Sequence, residues 1–188
     1  MNIVVLAGGL STERDVSLNT GTMVSKALRS KGHNVIMLDV FMGYHEEEED
    51  ITDIFNHTEE ASADVAQIPG EAPDIAQVKA MRKDQSACFF GPNVIKICQA
   101  ADIVFMALHG ENGENGKIQA PFDLFGIQYT GSRYLGSALA MDKGISKKMF
   151  EAAGIPTPHG IAMSKTQRHT PFSETGLTLP CVVKPCCG

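Results

Sequence analysis

Three short apolar runs mark the buried strands of this chain. They are residues 3–7, 35–40 and 103–108, and none shows a regular polar alternation. Such runs are typical of central strands in a parallel sheet that is covered on both faces. Between the first two, apolar positions return at helical spacing, so a helix with one buried face is predicted there. The residues of that face are Val16, Met23, Val24, Ala27 and Leu28. Strand, helix and strand form a βαβ unit with a right-handed crossover.

Further elements follow from the same patterns and from helix-stop signals. Helices are predicted at residues 94–98 and 117–125, and, after a helical turn at 137–139, from the N-cap Asp142 to about residue 153. Short strands are predicted at residues 128–130, 161–163 and 181–185. The predicted fold class is α/β, with a parallel sheet and flanking helices. From residue 132 a second sheet begins, with too few strands to close a core.

Residues 41–91 interrupt this order with a change of composition. An acidic run at residues 46–50 and turn signals within residues 69–73 predict a surface excursion with one or two short helices. The acidic run could bind a metal ion, but a solvated face is the favoured interpretation. His45 and His57 have no partners at a ligand-like spacing. No metal-ligating residue is therefore predicted.

Composition narrows the class of protein. Hydrophobic residues make up 43% of the 188-residue chain and charged residues 20%, which is typical of a soluble globular protein. A formal net charge of −6 gives no broad positive field for nucleic acid or for an anionic membrane. No apolar run is long enough to span a bilayer, and the first strand starts without a basic leader. Five cysteines without a C-x-x-C pair favour reduced thiols in the cytoplasm over a disulfide framework or a zinc site.

The candidate ligand-binding residues follow the ends of two predicted strands. Gly8 and Gly9 follow the first strand, and Glu13 lies in the turn before the predicted helix, where a carboxylate could hold a ligand ammonium. The alternative is that Glu13 caps the helix and Arg14 is solvated, and this stretch alone leaves both interpretations open. His109 follows the third strand in a glycine-rich loop, at the edge where open α/β sheets bind ligands. A lone histidine at a strand end is more often packed or solvated.

Two lysines occupy positions that are consistent either with ligand binding or with a purely structural role. Lys143 follows the Asp142 cap, where a cation is mildly unfavourable against the helix dipole, so the position slightly favours a functional role. Lys184 ends a predicted apolar strand just before Pro185. Its side chain either extends to solvent or faces a ligand.

Five separated motifs occur in order along the chain. They are GGLSTERDVS at 8–17, HG at 109–110 with GENG at 113–116 and Gln119, YTGS at 129–132, SAL at 137–139 with MDK at 141–143, and VVKP at 182–185. Together they resemble the D-alanine–D-alanine ligase family of ATP-grasp enzymes. The resemblance covers both ends of the chain and lapses in residues 41–91. It implies a Rossmann-like pre-ATP-grasp domain at residues 1–131 and the truncated beginning of the ATP-grasp central domain at residues 132–188.

The resemblance also implies an activity and a set of site residues. Enzymes of this family phosphorylate one D-alanine with ATP and Mg²⁺, and the amine of a second D-alanine attacks the acyl phosphate. The product is used in peptidoglycan synthesis, and therefore in cell-wall biogenesis and the maintenance of cell shape. The enzyme itself is expected to be a homodimer in the cytoplasm. Glu13 matches the carboxylate that holds the ammonium of the first D-alanine, as a catalytic and substrate-binding residue, and His109 lines the same subsite. Lys143 and Lys184 match lysines that contact ATP, and the magnesium ligands are expected beyond Gly188.

A few positions depart from the family pattern. Asn115 stands where aspartate is usual, Ala120 where glycine is usual and Asp123 where glutamate is usual. A D-alanine–D-serine or D-alanine–D-lactate ligase is the near alternative, because the residues that choose the second substrate are expected past residue 188. A non-catalytic α/β module that binds a small ligand or a partner is the alternative from another class. Under the ligase interpretation, residues 1–188 alone are expected to be inactive.

Overall fold

A parallel three-stranded sheet forms the centre of the molecule. The computed structural model describes residues 1–44, 51, 53–56 and 70–187. The strands are β1 (Asn2–Ala7), β2 (Asn34–Asp39) and β3 (Ile103–Met106), in the order β2-β1-β3. Ile3 of β1 pairs with Val35 and with Ile103, so the carboxyl ends of the strands lie at one edge. The three predicted strands and the parallel βαβ unit are confirmed.

Helices flank the sheet and continue beyond it. They are α1 (Arg14–Ser30), α2 (Ile75–Met81), α3 (Val94–Ala100), α4 (Glu111–Glu114), α5 (Gln119–Leu124), α6 (Tyr134–Met141) and α7 (Lys143–Ala152). Short 3-10 turns lie at Lys165–Gln167 and Phe172–Glu174. The helices predicted at residues 94–98, 117–125 and 142–153 correspond to α3, α5 and α7. Within the described part of the chain, no helix combines the length and the apolar character needed to cross a membrane.

Both faces of the sheet are covered, because the side chains of β1 alternate between two apolar clusters. The larger cluster joins β1 to α3 and α5, and includes Val4, Leu6, Ile97 and Phe122. The smaller cluster lies beneath α1 and includes Ile3, Val5, Ala7, Leu18, Val24 and Leu28. Every residue from 3 to 7 is 5% exposed or less. The unbroken apolar run of β1 is thus explained by burial on both faces.

The face of α1 that meets the sheet differs from the predicted apolar stripe. Met23 is 59% exposed, Ala27 is also exposed and Val16 is half-buried. The fully buried residues of the helix are small, namely Ser17, Gly21, Thr22 and Ser25. A side chain at Gly21 would place its Cβ 2.9 Å from the Cβ of Ala7, which is closer than packed carbon atoms allow. The helix therefore approaches the sheet through small residues, and the predicted burial of Met23 and Ala27 is wrong.

The described part of residues 41–91 contributes to the core. Its buried apolar residues are Phe41, Ile51, Ile54 and Phe55. The guanidinium of Arg82 is also buried, lies 4.5 Å from the centre of the Phe41 ring and donates to backbone carbonyls. This cation–π contact and these hydrogen bonds join residues from the two ends of the segment. Helix α2 confirms one predicted short helix, and most residues from 70 to 90 are exposed as a surface excursion requires. The buried residues named above are the part that this prediction missed. The predictions for the acidic run at 46–50 and for His45 and His57 lie outside the described residues.

The short strand predicted at residues 128–130 reduces to one bridge. Tyr129 pairs in parallel with Val104 of β3, and the hydroxyl of Thr130 accepts the Met106 N–H at 3.0 Å. The Tyr129 hydroxyl donates to the Asp123 carboxylate at 2.9 Å. Desolvation, followed by this carboxylate, raises the pKa of Tyr129 to about 12. The YTGS motif is therefore fastened to the outer edge of β3.

The chain after residue 131 forms the α6–α7 pair and an exposed tail. Helix α7 starts at the predicted N-cap, where the Asp142 carboxylate accepts the Ile145 N–H at 2.9 Å. This hydrogen bond holds the pKa of Asp142 below its usual range. The strands predicted at residues 161–163 and 181–185 are wrong, since both segments are exposed and irregular. A strand needs a partner ladder for its backbone groups, and the described residues of this section provide none.

Candidate functional site

A double-glycine turn carries the chain from β1 into α1. Gly8 and Gly9 have φ angles of +75° and +85°, in the left-handed region that favours glycine. The guanidinium of Arg14 donates to the Gly9 carbonyl at 2.8 Å, and the Gly9 N–H donates to the Asp39 carboxylate at 3.4 Å. Arg14 and Asp39 also form an ion pair with each other. One charge pair thus holds the peptide groups on both sides of Gly9, and a solvated Arg14 is wrong.

Asp39 connects this turn to the end of β2. Its carboxylate accepts the backbone N–H groups of Phe41 and Met42 at 2.9 and 3.1 Å, in addition to its bonds with Gly9 and Arg14. The side chain is only 15% exposed, and that of Arg14 only 12%. The pair therefore ties the carboxyl ends of two neighbouring strands to the first turn of α1.

We expect Asp39→Ala to lower the free energy of unfolding by about 2–3 kcal/mol, because Arg14 would stay largely buried without its counter-charge. Urea unfolding followed by circular dichroism measures the loss. The matched control is Asp102→Ala, which removes an exposed carboxylate that accepts the Asn2 N–H at 2.8 Å. Its expected cost is about 1 kcal/mol or less. Equal losses in the two variants would contradict the role given to the charge pair.

Ser17 of α1 joins the ends of β1 and β3. Its hydroxyl accepts the Gly8 N–H at 2.9 Å and donates to the Ala107 carbonyl at 2.8 Å, and the residue is fully buried. Both the donor and acceptor capacity of the hydroxyl are used, as a buried polar group requires. The glycine turn and the chain leading to His109 are therefore held at a fixed separation.

Glu13 lies against the loop that carries His109. It precedes the first residue of α1, but its side chain makes no capping hydrogen bond, so the helix-cap alternative is not supported. Its own N–H donates to the Ser11 hydroxyl at 3.0 Å. Gly110, with φ of +73°, packs against Ser11 so closely that a Cβ there would clash, and that Cβ would lie 3.2 Å from Oε2 of Glu13. The structure thus places Glu13 next to Gly110, the residue that follows His109.

His109 is held from the helix side. Its Nε2 lies 3.0 Å from the hydroxyl of Thr20, and the residue is half-buried. The loop that follows is stabilised by its own hydrogen bonds. The Gly110 N–H donates to the Glu114 carboxylate at 3.2 Å, and the Gln119 amide donates to the Gly113 carbonyl at 2.7 Å. The glycine-rich loop is therefore an ordered wall of the site.

The polar groups at this edge of the sheet suit a small ligand that carries an ammonium. The exposed carboxylate of Glu13 can accept hydrogen bonds from an ammonium, and the imidazole of His109 offers a second polar group. The arrangement follows the rule that open α/β sheets bind ligands at the carboxyl ends of their strands. Sequence reasoning missed Ser17, Thr20 and Asp39, although the hydroxyls of Ser17 and Thr20 at i and i+3 were a readable signal of a polar helix face.

A second cleft, of about 830 Å³, lies in the section after residue 142. Its lining includes four lysines, which are Lys143, Lys147, Lys148 and Lys184. The backbone N–H of Lys143 donates to the Cys186 carbonyl at 2.9 Å, which brings the start of α7 next to the end of the tail. The structure therefore places the two predicted nucleotide lysines on one cleft. Four lysines against one carboxylate, that of Glu151, give this lining a net positive charge, which suits an anionic ligand such as a polyphosphate.

Comparison with known proteins agrees with these observations. The family described as D-ala D-ala ligase N-terminus matches residues 2–132. The chain is 42% identical over 191 residues to the D-alanine–D-alanine ligase of Lacticaseibacillus casei, which covers all of the chain and 52% of that protein. It is 43% identical over 186 residues to the Pediococcus pentosaceus enzyme, covering 98% of the chain and 52% of that protein. The chain therefore spans about half the length of these curated relatives.

A solved structure shares the fold. D-alanine–D-alanine ligase from Bacillus anthracis, complexed with ATP, superposes with a TM-score of 0.58 at 26% identity. The match covers 93% of this chain and 41% of the Bacillus chain. Family, relatives and fold agree with the resemblance that the five motifs indicate, and this chain belongs to the D-alanine–D-alanine ligase family, matching the family's amino-terminal domain over residues 2–132.

Proposed function

We propose that this chain forms the amino-terminal part of a D-alanine–D-alanine ligase and supplies the subsite for the first D-alanine. The observation that carries the proposal is the close approach of the Glu13 side chain to Gly110, the residue after His109, in a chain of this family. Residues 1–131 are proposed as the pre-ATP-grasp domain, and residues 132–188 as the beginning of the ATP-grasp central domain.

In this proposal Glu13 determines which end of the first D-alanine reacts. Its carboxylate holds the substrate ammonium by charge-assisted hydrogen bonds and keeps that nitrogen protonated. The substrate then presents its carboxylate for activation, while its nitrogen is no longer nucleophilic. Arg14 and Asp39 fix the glycine turn beside Glu13, so the backbone that carries this carboxylate is held in place before the substrate arrives. His109 and its loop complete the wall of this subsite.

The lysine-lined cleft fits the proposed nucleotide. ATP, when bound, would supply the phosphoryl group that activates the D-alanine carboxylate. Lys143 and Lys184 would hold its phosphates, since positive charge around the transferred group stabilises the transition state. The described residues include no group of three or more His, Cys, Asp or Glu side chains placed to hold a metal ion. The proposal therefore assigns no magnesium ligand within them.

Three further properties that the family resemblance implies remain predictions. These properties are a role in peptidoglycan synthesis, a homodimeric state and a cytoplasmic location. Each concerns the complete enzyme, whereas this chain spans about half of its curated relatives. Mass measurement of the purified protein in solution would test the homodimer directly.

The proposal can be tested by joining residues 1–188 to the carboxyl-terminal half of the Lacticaseibacillus casei relative, a protein called the joined ligase below. With ATP, magnesium and D-alanine, the joined ligase is expected to form the D-alanyl-D-alanine dipeptide. Mass spectrometry identifies the product, and L-alanine serves as the control substrate. A folded joined ligase that makes no dipeptide would contradict the proposed function.

We expect Lys143→Met and Lys184→Met in the joined ligase to raise the KM for ATP more than the KM for D-alanine. Each variant removes a charge from the cleft while keeping most of the side-chain volume. Loss of a charge-assisted hydrogen bond of about 1.5–3 kcal/mol corresponds to roughly a 10- to 150-fold change.

Steady-state kinetics with each substrate varied in turn measures the two constants. Lys117→Met is the matched control, because Lys117 is exposed and lies outside the lysine-lined cleft. A larger rise in the KM for D-alanine than for ATP would overturn the assignment of the two lysines.

A further inference from the structure

Two hydroxyl side chains of α1 hold the chain on either side of Leu108. Ser17 and Thr20 lie one helical turn apart, and they contact Ala107 and His109, which lie two residues apart. Ser17 bonds the backbone carbonyl of Ala107, whereas Thr20 contacts the imidazole ring itself. We propose that Thr20 is a positioning residue that fixes both the orientation and the tautomer of His109.

The direction of the hydrogen bond follows from a comparison with Thr22. The Thr22 hydroxyl donates to the Leu18 carbonyl at 2.9 Å, in the usual manner of a threonine inside a helix. The hydroxyl of Thr20 makes no such bond to a backbone carbonyl, and among the described residues its one hydrogen-bond partner is Nε2 of His109, at 3.0 Å. The 3.0 Å separation fits a hydrogen bond in either direction. Because the Thr20 proton engages no backbone carbonyl, the proposal assigns the hydroxyl as the donor and Nε2 as the acceptor.

This donation decides which ring nitrogen is available to a ligand. A neutral imidazole that accepts a hydrogen bond at Nε2 carries its own proton at Nδ1. Within the described ranges, no protein group hydrogen-bonds Nδ1. Thr20 thus leaves an N–H donor at Nδ1, on a residue whose neighbour Gly110 packs against Glu13.

The benefit of this tautomer to the protein rests on the proposed function. In that proposal Glu13 takes the ammonium of the first D-alanine, and the donor at Nδ1 of His109 suits the acceptor oxygens of the same zwitterion. Loss of the hydroxyl at position 20 would leave the ring free to turn and to change tautomer. Thr20 acts through His109 and is not itself expected to touch the substrate.

The tautomer can be measured directly in the chain of residues 1–188. Long-range ¹H–¹⁵N spectra of the ¹⁵N-histidine-labelled protein distinguish the two tautomers, at about pH 9 where imidazoles are neutral. The chain has six histidines, and His109→Gln identifies the signals of His109. The variants are Thr20→Val, which removes the hydroxyl, Thr20→Ser, which keeps it, and Thr22→Val as a control on the same helix.

In the unmodified chain and in Thr20→Ser, the Nδ1–H form of His109 is expected to be the major tautomer. In Thr20→Val the majority is expected to reverse to the Nε2–H form, which imidazoles without a partner prefer. Thr22→Val is expected to match the unmodified chain. An unmodified chain with a majority of Nε2–H, or a Thr20→Val spectrum equal to that of the unmodified chain, would overturn the proposal. The first of these outcomes can be read even if Thr20→Val does not fold.

The measurement contains no substrate and no ATP, so its outcome is separate from that of the ligase proposal. Dipeptide formation by the joined ligase decides the proposed function, and the His109 tautomer decides the role of Thr20. Reversal of the tautomer in Thr20→Val with an inactive joined ligase would contradict the ligase proposal alone. An active joined ligase with an unchanged tautomer would contradict the positioning role alone.

Discussion

Residues 1–188 alone are expected to release no D-alanine-dependent phosphate from ATP, whereas the joined ligase is expected to do so. The chain spans about half the length of its curated relatives. The described residues around Lys184 are exposed, so the cleft that they line is open to solvent and does not exclude water from a labile intermediate. Phosphoryl transfer requires several groups that act as a unit, and the loss of part of such a unit removes nearly all activity.

A coupled assay for phosphate, with and without D-alanine, measures this difference. The reaction without D-alanine is one control. The other control is the carboxyl-terminal half of the Lacticaseibacillus casei relative without this chain. Hydrogen exchange shows whether the chain alone is folded, and the strands of the sheet are expected to be protected far more than residues 153–187. Robust D-alanine-dependent phosphate release by residues 1–188 alone would show that the active site lies wholly within this chain.

Glu13→Gln in the joined ligase is expected to weaken use of the first D-alanine by roughly 10- to 150-fold in kcat/KM. The estimate corresponds to about 1.5–3 kcal/mol for one charge-assisted hydrogen bond to an ammonium. The substitution keeps the size of the side chain and removes its charge. Because Glu13 makes no capping hydrogen bond in the structure, little loss of folding stability should accompany the change.

Steady-state kinetics at varied D-alanine concentration tests this expectation, with thermal unfolding as the measure of stability. Glu111→Gln is the matched control, since Glu111 is exposed and begins α4 in the same glycine-rich loop. Its kcat/KM is expected to stay within about twofold of the unmodified value, because surface substitutions have small effects. Unchanged kinetic constants in Glu13→Gln would remove Glu13 from the substrate site.

The sheet could be predicted from the sequence because its strands are buried on both faces. Burial on both faces leaves an unbroken apolar run such as residues 3–7, and three such runs identify β1, β2 and β3. Their order β2-β1-β3 comes from the structure alone. The N-cap at Asp142 was predictable for a local reason, since its side chain bonds the first turn of its own helix.

The packing of α1 could not be predicted from apolar periodicity. The helix lies so close to β1 that small residues such as Gly21 form the contact, and the larger Met23 is left outside. The strands expected after residue 153 failed for a different reason. An apolar segment such as residues 181–185 becomes a strand only beside a partner that completes its backbone hydrogen bonds.

The sequence predicted which residues form the site, but it did not predict the hydrogen bonds and ion pairs that hold them. The motifs identify Glu13 and His109, and the shared edge of a parallel sheet suggests that they meet. The contacts that hold them come from residues far apart in sequence. Asp39 reaches Arg14 across 25 positions, and Thr20 reaches His109 across 89. Such pairs depend on how α1 lies on the sheet, which local sequence patterns do not encode.

A crystal structure of the joined ligase with D-alanine and a non-hydrolysable ATP analogue tests the central claim most directly. The claim is that the site formed by Glu13 and the loop of His109 binds the first D-alanine. The D-alanine nitrogen is expected within about 2.7–2.9 Å of a Glu13 carboxylate oxygen, the usual length of a charge-assisted hydrogen bond. Its carboxylate is expected to face the lysine-lined cleft. D-alanine bound elsewhere, with Glu13 directed into solvent, would contradict the account.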